Sequence, residues 1–130
     1  MRTIKFRGKS TIYGCWRFGD LFRTNLDGGV SIQFYDEVDG WMTEPVKENT
    51  VGQFTSLFDK NKKEIYEGDI IRINDDESGV IEVRFVRGVF AFLWNGDLDE
   101  ELPINAPTHE WAEIIGNIHD NPELLKGGAQ

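Results

Sequence analysis

Glu67 and Asp69, two carboxylates one residue apart, come first as chemistry, because such a pair could hold a metal ion or pass a proton. Gly68 lies between them. A corner that needs the positive φ of glycine and an aspartate to accept backbone N–H groups explains the same three residues, and that reading is favoured. Asp97, Asp99, Glu100 and Glu101 could gather a divalent cation, but no spaced His or Gly sets a geometry, so a solvated loop is expected. Asp75-Asp76-Glu77-Ser78-Gly79 has the acid density of a calcium loop but not its alternating aspartates or closing glutamate, and reads as a hairpin-type loop. His109 and His119 are ten residues apart without a flanking ligand pattern, so neither takes a metal or catalytic role. There is no Gly-x-Ser-x-Gly elbow, phosphate-binding loop, His-Glu-x-x-His or locally supported Cys–His pair. No catalytic residue, metal ligand or cofactor is assigned, and no small-molecule substrate is evident. A carboxylate pair assembled by the fold is the one catalytic arrangement left open.

Binding chemistry has better candidates. Lys5, Arg7 and Lys9 alternate along one strand and could meet phosphates. They could equally neutralise the acidic C-terminal half, within the chain or between subunits, and that pairing is preferred because it needs no further ligand. Trp41 lies in a polar loop, where it could contact a partner; capping the edge of a barrel is the favoured alternative. Phe90, Phe92 and Trp94 at period two would form a strip for a peptide or for stacked bases; burial against the N-terminal strands is the favoured alternative.

The elements that must position these residues are nearly all strands. Thr3 to Lys9 alternates, with Ile4 and Phe6 facing one way and the cations the other. Ile12 to Phe22 is broken by Gly14 and Gly19 into one or two short strands. Asn25-Leu26-Asp27-Gly28-Gly29 is a turn cluster, and Val30 to Tyr35 alternates again with Val30, Ile32 and Phe34 inward. Asp36 to Pro45 reads as a polar loop. Gln53 to Phe58 and Ile65 to Ile73 are β-prone and flank the polar turn Asp59 to Glu64. Val80 to Arg87 puts Ile81, Val83 and Phe85 on one face; Gly88 turns the chain, and Val89 to Trp94 returns, apolar on both faces. Asn95 to Thr108 is an acidic connection. Trp111 to His119 is a final strand with Ile114 and Ile118 buried. Asn121-Pro122-Glu123 opens a short helix, and Gly127-Gly128 frays the tail.

Several of these segments carry a resemblance. Gly52-Gln53-Phe54-Thr55, Leu57, Asp59, Asn61 and Glu64-Ile65-Tyr66-Glu67-Gly68-Asp69-Ile70 resemble the signature of the YopX family, small proteins of bacteriophages and prophages. Met1-Arg2-Thr3-Ile4-Lys5-Phe6-Arg7-Gly8 resembles its start, and Ile115-Gly116-Asn117-Ile118-His119-Asp120-Asn121-Pro122-Glu123-Leu124-Leu125 its end. The chain departs from the pattern at Ser56, where the family often has Gly, and at Asn61-Lys62, where it often has Asn-Gly. Without Asn-Gly a loop longer than a two-residue type I′ turn is expected. The resemblance implies a small SH3-like β-barrel in the C-terminal part. It implies no activity.

Composition sets the outer limits. The 130 residues suit one domain, with hydrophobic residues at 39% and nine Phe, four Trp and three Tyr to build a core. A single cysteine, Cys15, suits a reducing cytoplasm, and no apolar run is long enough to span a membrane. The net charge is −9, yet residues 1–18 carry a local +5 with no acid. An acidic chain is repelled by phosphates, which disfavours general nucleic-acid binding. The expectation is a mainly β protein: an N-terminal β-rich subdomain over residues 1–50, the SH3-like barrel over 51–130, and a short C-terminal helix. Its expected role is a cytoplasmic, phage-encoded, non-enzymatic binding or accessory module working through a protein partner or self-association. Single-stranded nucleic-acid binding and mimicry of DNA by the acidic surface are the alternatives.

Overall fold

The protein is described by a computed structural model over residues 3–23, 29–74, 76–102 and 107–127. The expected turn at Asn25–Gly28, Asp75 in the acidic loop, and Gly128 in the tail lie outside the described residues. The chain divides into two compact units, Met1–Phe54 and Thr55–Gln130, each of antiparallel strands.

In the first unit, β1 (Phe6–Lys9), β2 (Trp16–Arg23), β3 (Val30–Asp36) and β4 (Gly40–Val46) pair in sequence order. A 3-10 turn at Glu48–Thr50 leads to β5 (Gly52–Phe58), whose first residues pair with β1 on its other side. The β1–β2 turn brings Ser10 opposite Val46 at the end of β4. Gly8 is required there, because a Cβ would sit 2.8 Å from the Val46 side chain. The inward positions of the alternating strands, Val30, Ile32 and Val46 with Phe6, Leu21, Phe34 and Val51, form one apolar cluster.

Two expectations change here. The polar loop at Asp36–Pro45 is mostly strand β4; the loop proper is Glu37–Asp39, where Asp36 Oδ1 accepts the N–H groups of Val38 (2.8 Å) and Asp39 (3.0 Å). Pro45 is compatible with this because its carbonyl accepts Thr11 N (3.0 Å), so the missing N–H falls on the side of the β1–β2 turn and takes no bond from the β3 ladder. Ile4 does not follow Phe6 inward: it precedes β1 and is exposed.

In the second unit, β6 (Glu64–Tyr66) lies beside the end of β5. β7 (Asp69–Ile73), β8 (Ile81–Val86), β9 (Val89–Trp94), the two-residue β10 (Glu101–Leu102) and β11 (Ala112–Asn117) form a sheet in the order β10-β9-β8-β7-β11. The two antiparallel sheets bear out a mainly β protein, while the expected SH3-like barrel is not confirmed: among the described residues no sheet closes. Ile65, Ile71, Ile81, Val83, Phe92 and Ala112 are fully buried in its core. Trp111 ends a short helical turn, α1 (Thr108–Trp111), rather than starting the last strand, and Ile114 is half-buried against the core. Helix α2 (Glu123–Gly127) follows Asn121-Pro122 as expected. No helix among the described residues is long and apolar enough to cross a membrane.

Candidate functional site

The residues that look most chemical are used to hold the backbone. Asp59 is buried at the β5–β6 turn. Its Oδ1 accepts the N–H groups of Asn61 (2.8 Å) and Lys63 (2.9 Å), and its Oδ2 accepts that of Ile114 in β11 (3.1 Å). The turn is a three-residue loop with Lys62 at φ 66°, longer than a type I′ turn, as the missing Asn-Gly pair suggested.

Asp69 is likewise buried, and its Oδ2 accepts the Tyr66 N–H at 2.7 Å. Gly68 has φ 96°, donates to Val83 O (2.7 Å) and accepts from Ile118 N (2.9 Å). Glu67-Gly68-Asp69 is thus the corner expected, and it ties β7 to β8 and to the end of β11. At the C-terminal motif, Asn117 Oδ1 accepts the N–H groups of His119 and Asp120, both at 2.9 Å, and Asn121 Oδ1 accepts that of Asn117. Gly116 makes room for this: a Cβ there would lie 2.6 Å from Asn121 Oδ1.

The acidic runs are locally satisfied in the same way. Asp97 Oδ1 accepts from Asp99 N (2.9 Å), and Glu101 pairs with Arg87 (2.8 Å). Hydrogen bonds from the Ser78 side chain and backbone hold the Asp76 carboxyl below its ordinary range. Among the described residues no three His, Cys, Asp or Glu side chains gather as a metal site. An open groove of about 270 Å³ is lined by Val80, Ile115 and Leu124 with Glu77, Glu123 and Arg72 at its polar edge. Arg72 is bonded to Glu113 (2.7 Å), which draws the Glu113 carboxyl below the usual range.

The binding candidates separate. Phe92 is fully buried and stacks edge-on against Trp111, with ring centroids 6.1 Å apart, so it cannot belong to a surface strip. Trp94 is half-buried against the same core, and a Cβ on Gly79 would strike its ring at 2.4 Å. Of the three, Phe90 reaches outward: it meets Phe85 edge-to-face at 5.2 Å. The strip fails because the inward face of β9 packs into a core that includes Ile65 of β6 and Trp111 of α1 along most of its length, and not at the hairpin end.

In the first unit, Arg7 is buried, with its guanidinium 4.7 Å from the Trp16 ring centre; Lys9 lies over the same ring and Lys5 over Phe54. Arg17 is held by Glu44 at 2.8 Å, which pulls the Glu44 carboxyl down and pushes the guanidinium up, and it stacks over Phe34. Trp41 is on a strand and 68% exposed, and it meets Tyr35, its cross-strand neighbour, edge-on at 5.5 Å. Phe18, Phe22, Tyr35, Phe85 and Val89 are exposed and were not singled out from sequence. The signal was present for Tyr35, which alternates out of phase with Val30, Ile32 and Phe34.

The sequence model of one family, described as YopX protein, matches residues 5–126. No curated protein matches the chain. Two solved structures share the fold. Protein EF1440 from Enterococcus faecalis is 21% identical, with a TM-score of 0.55 over 96% of this chain and 99% of that one. Protein yopX from Bacillus subtilis is also 21% identical, with a TM-score of 0.53 over 96% and 97%.

Proposed function

The chain belongs to the YopX family, and from that premise we propose that it is a phage- or prophage-encoded, non-enzymatic binding module that acts through protein–protein contacts in the bacterial cytoplasm. The observation that carries this reading is the tip of the β8–β9 hairpin. Val86 pairs with Val89 across a two-residue turn, Arg87-Gly88, at φ 51° and 81°. Phe85 and Phe90 extend the core-facing side of the hairpin beyond the core, while Val86 and Val89 occupy the other side. The result is an apolar wedge with Phe85 48% and Val89 54% exposed. A tip apolar on both sides suits insertion into a partner surface.

The opposite trend among the polar residues supports the same reading. Asp59, Asp69 and Asn117 spend their acceptors on backbone N–H groups, which leaves them poorly placed to move protons or bind substrate. The test is photo-crosslinking in host cells from a probe amino acid at position 85, with position 37 as an exposed polar control. A discrete protein adduct from 85, absent from 37 and abolished by Val89→Glu, is expected. Identical adduct patterns from both positions would overturn the reading.

A further inference from the structure

The second unit carries, away from the hairpin tip, a groove of matching character. Val80, just before β8, joins Ile115 and Leu124 as the apolar floor of the open groove of about 270 Å³. Ile115 falls where the β7–β11 register shifts, between Ile114 and Gly116, so the irregularity aims a strand residue into the groove. Glu77 and Glu123 stand exposed on the rim and enter none of the ion pairs among the described residues. Arg72 is matched by Glu113 at 2.7 Å, so the groove keeps the charge of the two acids.

This volume lies below the roughly 300–1,000 Å³ of small-molecule sites and suits a few side chains instead. An apolar floor under two carboxylates calls for apolar side chains next to a cation. The hairpin tip has that make-up. Val86 and Val89 flank Arg87-Gly88, and the Arg87 side chain is 68% exposed. Arg87 already has a partner, Glu101 at 2.8 Å, but that carboxylate is itself 38% exposed. Exposed pairs hold weakly, so Arg87 can exchange one carboxylate for two. From Val80 to Val86 the strand runs roughly 20 Å, at about 3.3 Å per residue, so a chain cannot fill its own groove with its own tip.

Taking the tip as an insertion surface, as the proposed function does, we propose that its partner is a second copy of this chain: the tip of one copy docks in the groove of the next. Val86 and Val89 cover the apolar floor, and Arg87 lies between the two rim acids. The contact joins two different surfaces, so it propagates head to tail and either closes into a ring or continues as an open row of subunits. A tip in a groove falls short of the roughly 1,200 Å² of a standard interface, so association is reversible and rises with concentration.

The experiment is light scattering behind size exclusion on the full chain from about 10 μM to 1 mM, with circular dichroism on each variant. The weight-average mass is expected to rise above that of one chain with concentration, and to rise less in high salt. Arg87→Gln weakens association about fivefold, the scale of an exposed ion pair. Val89→Glu charges the tip, and Glu77→Lys with Glu123→Lys reverses the groove; each variant is monomeric alone. Mixed, they offer one intact groove to one intact tip and form a pair of two chains with nothing larger, which also shows that both fold. A wild-type chain monomeric at every concentration overturns the proposal, and so does a mixture that fails to pair while the wild type associates. In either case a position-85 adduct with a different host protein leaves the tip reading standing, whereas identical adducts from positions 85 and 37 end that reading itself.

Discussion

The buried carboxylate of Asp59 reaches across 55 residues of sequence to accept the backbone N–H of Ile114 at 3.1 Å, while its other oxygen closes its own turn. One side chain thereby substitutes for a strand neighbour on the outer edge of β11, where Ala112 O also receives Lys60 N (2.8 Å).

Asp59→Ala should therefore be among the most damaging polar substitutions. It leaves three backbone donors without their acceptor, at about 1–3 kcal/mol for a buried group, and a total loss of ~3 kcal/mol is expected in urea unfolding. Asp59→Asn keeps one acceptor oxygen and should cost about half as much. A loss under ~0.5 kcal/mol for the alanine variant would contradict the role.

Ser56 and Lys62 both have left-handed backbone, at φ 70° and 66°. That conformation costs a non-glycine residue roughly 1–2 kcal/mol, partly offset by the extra freedom glycine gives the unfolded chain. Ser56→Gly and Lys62→Gly should each raise stability by about 0.5–1 kcal/mol. Ser56→Val, β-branched at the same φ, should lower it by more than either glycine raises it.

Glu44 predicts a pH dependence. Its carboxyl is held down first by the Arg17 hydrogen bond, then opposed by burial, so its folded pKa lies below the ordinary 4.5. A depressed carboxylate contributes stability that is present above its unfolded pKa and lost as pH falls through the folded one. Glu44→Gln should cost about 2 kcal/mol at neutral pH, since Arg17 keeps some solvent. The gap between the two proteins should narrow as the pH is taken from neutral to well below the ordinary carboxylate range. Urea midpoints that stay equally far apart at both pH values would rule the pair out as the cause.

Phe92 and Phe90, two residues apart on one face, should differ sharply. Phe92→Ala empties a fully buried site and should cost about 3–5 kcal/mol. Phe90→Ala loses an edge-to-face contact with Phe85 at a half-exposed tip and should cost about 1 kcal/mol. Comparable losses would mean that the tip is packed as the core is.

The sequence by itself determined the class of the protein. Alternation marked β3 and β8, an unbroken apolar run after Gly88 marked β9, Gly68 with its flanking acids marked a corner, Asn121-Pro122-Glu123 marked the last helix, and the signature pointed to the family. These are local properties: strand period, positive φ and helix-start chemistry act within a few residues, so they are legible along the chain. Which alternating face is covered, and where cover ends, is decided by residues far away in sequence. Phe92 is buried because Trp111 and its neighbours lie on it, and Phe90 is not. Arg7 is buried because Trp16 folds over it. Strand β4 exists despite Pro45 because the side of Pro45 that lacks an N–H faces the β1–β2 turn and not β3, and Asp59 is a brace because β11 passes beside its turn. Period two assigns a side chain to a face; only the tertiary structure decides whether that face meets protein or water.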